Sequence, residues 1–154
     1  MNKVVVVGSL NVDLVVSAPT LPKKGQTVLG RSFEKFPGGK GANQSTALAR
    51  LGAPVTHIGK VGLDDHAKLL RRSLKAAGVN LELIEDASSR TGIALIEIAD
   101  NGENTIVVVP GANMRLLPSD LDPFVPLLKE ADFILIQSRL HQVPVTSFIV
   151  FTSA

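Results

Sequence analysis

The residues with the most chemical potential lie in two short stretches. Asn11 and Asp13 are two apart in Leu10-Asn11-Val12-Asp13-Leu14-Val15-Val16, so on a strand both side chains point to one face. A carboxylate offers two acceptor oxygens that can bridge neighbouring hydroxyls, and an amide both donates and accepts. An Asp near a strand end also serves as a plain turn former, and the pair alone does not decide between these roles. The second stretch is Pro37-Gly38-Gly39-Lys40-Gly41-Ala42-Asn43, with three glycines in four positions. Each glycine costs backbone entropy on folding, so such a cluster belongs where the chain turns sharply or lets a ligand approach the backbone. The run from Gln44 to Gly52 reads as a short helix stopped by Gly52. A glycine turn opening a helix presents backbone N–H groups and the positive end of the helix dipole, which suits an anion or a ring of hydroxyls. Lys40 adds a charged donor and Asn43 a two-way amide. A simple strand-to-helix connection accounts for the same spacing without a ligand.

Two phosphate-binding motifs are excluded. The P-loop needs Gly-x-x-x-x-Gly-Lys-Ser/Thr, a spacing that does not occur here. The dinucleotide fingerprint Gly-x-Gly-x-x-Gly fails because, counted from Gly39 and Gly41, its last position is Gln44.

The elements that would position these residues fit an α/β plan. Val4-Val5-Val6-Val7 is a continuous β-branched run ended by Gly8-Ser9, the mark of a strand buried on both faces. If it is central, Asn11 and Asp13 lie beyond its carboxyl end, where open α/β sheets bind ligands. A Pro- and Lys-containing loop spans 17–25, and 26–36 reads as a short strand leading into the glycine loop. Val55 to Val61 is a second apolar strand. Asp64 to Ala77 reads as a helix, with Ala67, Leu70, Leu74 and Ala77 at helical spacing and Gly78 as its stop. Val79 to Ile84 is extended. Thr91 to Ala99 and Thr105 to Val109 flank Asn101-Gly102, a strong hairpin signal. Gly111-Ala112-Asn113 closes the hairpin, a helix is predicted over about 121–129, and 132–136 is a further buried strand. The segment 138–154 breaks this plan: Pro144 and Phe148-Ile149-Val150-Phe151 offer no amphipathic helix stripe.

Composition narrows the function classes. The chain has 154 residues, 45% hydrophobic, enough for one globular domain. It has no cysteine, which excludes disulfides and thiolate metal sites and fits a cytoplasmic location. A net charge of +2 with no Trp or Tyr gives neither a nucleic-acid footprint nor base-stacking rings. The apolar run at Val4–Val7 is too short for a membrane segment.

Taken together, Gly8-Ser9-Leu10-Asn11-Val12-Asp13, Pro37-Gly38-Gly39-Lys40-Gly41-Ala42-Asn43, Thr91-Gly92-Ile93-Ala94-Leu95-Ile96 and Gly111-Ala112-Asn113 resemble the N-terminal half of the ribokinase-like (PfkB) carbohydrate kinase family, over residues 1–137. The resemblance implies a doubly wound, mainly parallel sheet with helices on both faces and a small β-sheet lid. It implies lid strands around 11–17, 26–36, 91–99 and 104–109. It implies that Asn11 and Asp13 bind sugar hydroxyls, that Gly38, Gly39, Lys40, Gly41, Ala42 and Asn43 close on the same sugar, and that Ala94, Ile96 and Val108 supply apolar contacts. The implied activity is phosphorylation of a sugar alcohol, ribose at its 5-hydroxyl, with ATP and Mg²⁺. A homodimer through the lid is an option it carries, whereas no nucleic-acid or membrane partner is implied.

Two departures qualify the resemblance. The glutamate expected after the last strand is replaced by Arg139, and the family's Gly-Ala-Gly-Asp motif, which supplies the anion hole and catalytic base, is absent together with the ATP-binding half. No catalytic residue and no metal ligand is therefore assigned. The isolated chain is expected to lack kinase activity, to bind neither ATP nor Mg²⁺ fully, and to be poorly soluble because a sheet edge is left open. Alternatives are a non-catalytic sugar-binding or dimerisation fragment, a kinase for another sugar or nucleoside, or a degraded gene product. The tail from Ser138 reads as the product of a shifted frame. CAG-TCG-AGG-CTC-CAC encodes Gln-Ser-Arg-Leu-His, and read from the last G of its first codon it gives Val-Glu-Ala-Pro, which restores the glutamate.

Overall fold

The computed structural model describes residues 2–137 and 148–151. Strands β1 (Val4–Gly8), β2 (Asn11–Ala18), β3 (Ser32–Gly38), β4 (Val55–Gly62), β5 (Asn80–Asp86), β6 (Gly92–Ala99), β7 (Asn104–Val109), β8 (Phe133–Gln137) and β9 (Phe148–Phe151) form two sheets. The main sheet has the order β5-β4-β1-β8-β9, and the smaller one β3-β2-β6-β7.

β1 is buried along its whole length and pairs in parallel with β4 and β8. Its side chains alternate between the two faces of the sheet. Val4 and Val6 join Leu10, Val55, Leu70 and Leu74 in one core cluster, beneath helices α1 (Lys40–Arg50) and α2 (Asp65–Ala76). Val5 and Val7 join Ile58, Leu116 and Ala131 in the other, against Leu127 and Leu128. The main sheet thus carries helical material on both faces, as an α/β chain of this pattern requires.

Helix α2 follows its sequence signals. Asp64 is its N-cap and accepts from Ala67 N at 3.0 Å, and Gly78 takes a φ of 86° just past its end. Helix α1 starts four residues earlier than predicted, at Lys40 rather than Gln44. Only Gly39, with φ of 96°, is the turn, and Lys40 to Asn43 are already the first helical turn. Gly41 is helical because α1 packs directly on the turn after β1: a Cβ at 41 would lie 2.6 Å from Gly8 Cα. The helix predicted over 121–129 is broken in two. A 3-10 segment Pro118–Phe124 is followed by α3 (Val125–Lys129), since Pro123 and Pro126 lack the N–H donors that a continuous helix needs.

The smaller sheet departs from its predicted limits at one strand: residues 26–31 are not strand, and β3 instead covers 32–38. β2 pairs antiparallel with β3 and parallel with β6, which forms the predicted hairpin with β7. Gly102 takes a φ of 85° in that hairpin turn. β9 runs antiparallel along β8 and is the edge strand on that side of the main sheet. The expectations for Arg139 and the rest of 138–147 lie outside the described residues. Among the described residues, no helix is long and apolar enough to cross a membrane.

Candidate functional site

β1 ends at Gly8, and the chain turns at Ser9-Leu10 into β2, carrying it from the main sheet to the smaller one. A cavity of about 310 Å³ opens where the two sheets meet. Its polar side comes from the β1–β2 turn, the first turn of α1 and the end of β8, and its other wall is the inner face of the smaller sheet. Strand register builds that face: Asp13 lies opposite Ala94, Ala94 opposite Val108, and Ile96 opposite Ile106. Directly paired residues share a face, so a carboxylate and an apolar wall are presented side by side.

Of the residues proposed from sequence, Asn11, Asp13, Gly39, Lys40, Asn43, Ala94, Ile96 and Val108 line the cavity. Gly38, Gly41 and Ala42 do not. Gly38 backs the site, since a Cβ there would fall 2.4 Å from Asp13 Oδ2. Gly41 lets α1 approach Gly8, and Ala42 is 4% exposed within the main core. The glycine stretch thus acts largely by letting backbone and side chains pack closely.

Ser9, Asn113 and Gln137 also line the cavity and were not singled out from sequence. Asn113 Oδ1 accepts from Leu10 N, and its Nδ2 donates to Leu10 O, Asn11 Oδ1 and Pro110 O, all at 2.9 Å. One side chain therefore ties the β1–β2 turn to the exit of β7. Ser9 Oγ donates to Gln137 Oε1 at 2.6 Å, with Ser9 N at 3.3 Å from the same oxygen. The position of Gln137 at the carboxyl end of a parallel strand was the available signal for it. Asn113 was read only as part of a turn and of the Gly111-Ala112-Asn113 motif, without a role, because Leu10 and Asn11 lie about a hundred residues away.

Burial pushes the Asp13 carboxyl above its ordinary value. Asp64 is the opposite case. Desolvation raises it, but hydrogen bonds from Thr91 N (2.8 Å), Ala67 N and Thr91 Oγ1 (2.7 Å) hold it below the usual carboxylate range. Thr91 Oγ1 in turn accepts from Gly62 N at 3.0 Å, so this cluster fastens the root of β6 to the main sheet. Behind the cavity, Ser45 Oγ and His57 Nδ1 are 2.7 Å apart and both residues are fully buried. Burial lowers His57 to about 4, although the Gly8 carbonyl pulls the other way. Its Nε2 is buried without a hydrogen bond of good geometry.

Chemically, the cavity combines an acceptor carboxylate, amides and an ammonium group with an apolar wall. That combination suits a small hydroxylated ligand that has a less polar face. Among the described residues, no group of three or more His, Cys, Asp or Glu is gathered to hold a metal ion.

The pfkB family of carbohydrate kinases matches residues 1–152, running past Gln137 into the last segment. A ribokinase of Bacillus subtilis is 43% identical over 143 residues, 92% of this chain and 48% of that protein. A deoxyribokinase of Salmonella typhimurium is 35% identical over 139 residues, 90% of this chain and 45% of that protein. The solved structure of Arabidopsis thaliana ribokinase complexed with ribose and ATP superposes with a TM-score of 0.78 at 33% identity, over 91% of this chain and 46% of that one. The chain spans about half the length of the relatives it matches.

Proposed function

The chain belongs to the pfkB family of carbohydrate kinases, and from that premise we propose that its cavity is the acceptor-sugar site of a ribokinase-like enzyme, with ribose as the sugar. The observation that carries this reading is the convergence of Asn11, Asp13 and the first turn of α1 on one cavity closed by an apolar sheet face. Asp13 accepts from adjacent sugar hydroxyls, Asn11, Lys40 and Asn43 complete the polar contacts, and Ala94, Ile96 and Val108 cover the ring. The family reaction transfers the γ-phosphoryl group of ATP to a sugar hydroxyl, breaking its bond to ADP and releasing ADP and the hydroxyl proton, with Mg²⁺ present. The family's Gly-Ala-Gly-Asp motif does not occur in this sequence, so on this proposal the chain is assigned the acceptor side only and no turnover of its own. In-line transfer needs held phosphates and stabilised equatorial oxygens besides an oriented acceptor.

The same proposal includes a homodimer through the smaller sheet, supported by its exposed Phe33, Leu95 and Val107, a cytoplasmic location, and a shifted frame after codon 137. The DNA downstream of that codon tests the last point, and an alternative frame that soon meets a stop overturns it. The sugar site is tested by calorimetry with ribose and deoxyribose, beside ATP turnover. Ribose binding that Asp13→Ala weakens about 10- to 100-fold, the loss of one to two buried hydrogen bonds, is the expected result, with no turnover in either protein. Unchanged ribose affinity in Asp13→Ala would overturn the assignment. Preference for deoxyribose would move the substrate to that of the Salmonella relative.

A further inference from the structure

We propose that Asn113 and Ser9 are positioning residues that set the polarity of two of the cavity's amides, so that Asn11 and Gln137 both meet a ligand through their NH₂ groups. This rests on the sugar-site reading for its ligand, but not for its geometry. The two ends of an amide have nearly the same shape, and only their partners decide which way each faces.

The chain of partners begins at the backbone. Leu10 N donates to one end of the Asn113 amide at 2.9 Å, and a backbone N–H can meet only an acceptor, so that end is oxygen. The other end of Asn113 faces the Leu10 and Pro110 carbonyls at 2.9 Å each. Both are acceptors, which agrees with an NH₂ there. The same NH₂ lies 2.9 Å from the Asn11 amide. Its two hydrogens are shared among these three oxygens, and an Asn11 NH₂ in that place would set two amino groups against each other, so Asn11 turns its oxygen to Asn113 and its NH₂ away. Gln137 is fixed in the same manner. Ser9 N approaches one end of its amide at 3.3 Å, which makes that end oxygen, and Ser9 Oγ donates to the same atom at 2.6 Å. Gln137 is 4% exposed, so it has little room to turn.

Both amides line the cavity. With their oxygens taken inside the protein, each has donors left for a ligand. Asp13, two residues along β2 from Asn11 and on the same face, is an acceptor when ionised. A hydroxyl satisfies both kinds of group by accepting from the NH₂ and donating to the carboxylate. An ether or carbonyl oxygen cannot donate to Asp13, so the Asn11–Asp13 pair is matched by ligand hydroxyls.

The test uses ¹⁵N-labelled whole chain, observing side-chain NH₂ signals assigned by their loss in Asn11→Asp and Asn113→Asp. Without ligand, the Asn113 NH₂ is expected to be protected from exchange with water and the Asn11 NH₂ to exchange freely. On adding ribose, the Asn11 signal shifts. Asn11→Asp keeps the side-chain shape and the acceptor for Asn113 but removes the donor, and it is expected to lower ribose affinity at least 10-fold with an unchanged melting temperature. A protected Asn11 NH₂ in the free protein, or ribose binding by Asn11→Asp within twofold of the parent, overturns the proposal. The expected exchange pattern without binding of any sugar upholds the polarity and overturns the sugar-site reading instead. Asn113→Asp, where it folds, is expected to turn Asn11 over and protect its NH₂; free exchange of that group in the folded variant counts against the proposal.

Discussion

Val4–Val7 in β1 and Ile106–Val109 in β7 are nearly the same sequence, four consecutive β-branched residues each, yet they have opposite fates. In β1 all four are at most 9% exposed, flanked by β4 and β8 and covered from both faces. In β7 they are 55, 59, 47 and 48% exposed, at the edge of a four-stranded sheet. Burying a valine fully is worth about 1.5–3 kcal/mol. The main sheet therefore holds the fold together, while the smaller sheet leaves apolar surface available. Part of that surface, at Ile96, Ile106 and Val108, is the cavity wall. Stability is concentrated in one region and a ligand-facing apolar surface in the other.

Paired substitutions are the largest test of this contrast. Val6→Asp places a charge at a position with 0% exposure and is expected to cost at least about 4 kcal/mol, abolishing a cooperative urea transition. Val107→Asp in β7 is expected to cost below about 0.5 kcal/mol, and to disperse any dimer in ultracentrifugation. Comparable losses in both variants would break the comparison.

His57 sharpens it through pH. Its folded value, about 4, lies below the ordinary histidine value of 6.5. The unfolded chain therefore binds the extra proton first as pH falls. The stability it contributes is complete above pH 6.5 and is lost on descending towards 4. Urea unfolding at pH 7 and pH 5 should differ by about 2 kcal/mol from this group, and His57→Gln should flatten that part of the profile. Asp13, in the smaller sheet, has the opposite sign. Its raised value means that the folded state takes up the proton first, so its charge weakens the fold at neutral pH. Asp13→Asn should leave the melting temperature unchanged or higher even as ribose binding falls. For the parent, the fall in ribose affinity on acidification should be centred above the usual carboxylate value.

The joint between the regions is tested at Asp64. Asp64→Ala removes the cap of α2 and the acceptor for Thr91, at about 2 kcal/mol. Hydrogen exchange should report loosening of β6 at its root more than of β1. Uniform loosening would mean that the two sheets open as one unit.

Much of this arrangement was legible before the fold was known, wherever one local rule dominated. The cap and stop of α2 and the Asn101-Gly102 hairpin each rest on interactions within a few residues. The common face of Asn11 and Asp13 followed from strand periodicity alone. The readings that needed correction had local rules in conflict. Lys40 to Asn43 looked like a loop because of their glycines, yet they are helix because Gly41 must lie against Gly8. The 121–129 stretch had helical spacing, but two prolines divide it.

What the chain determined by itself is most of the strands and helices and the polar pair on β2, since periodicity and turn chemistry are properties of neighbouring residues. What only the tertiary structure decided is which apolar strand is covered and which amide faces the cavity. The first depends on how many layers stack on a strand. The second depends on Asn113 and Gln137 reaching Leu10 and Ser9 across more than one hundred residues, contacts whose geometry exists only once the sheets have come together.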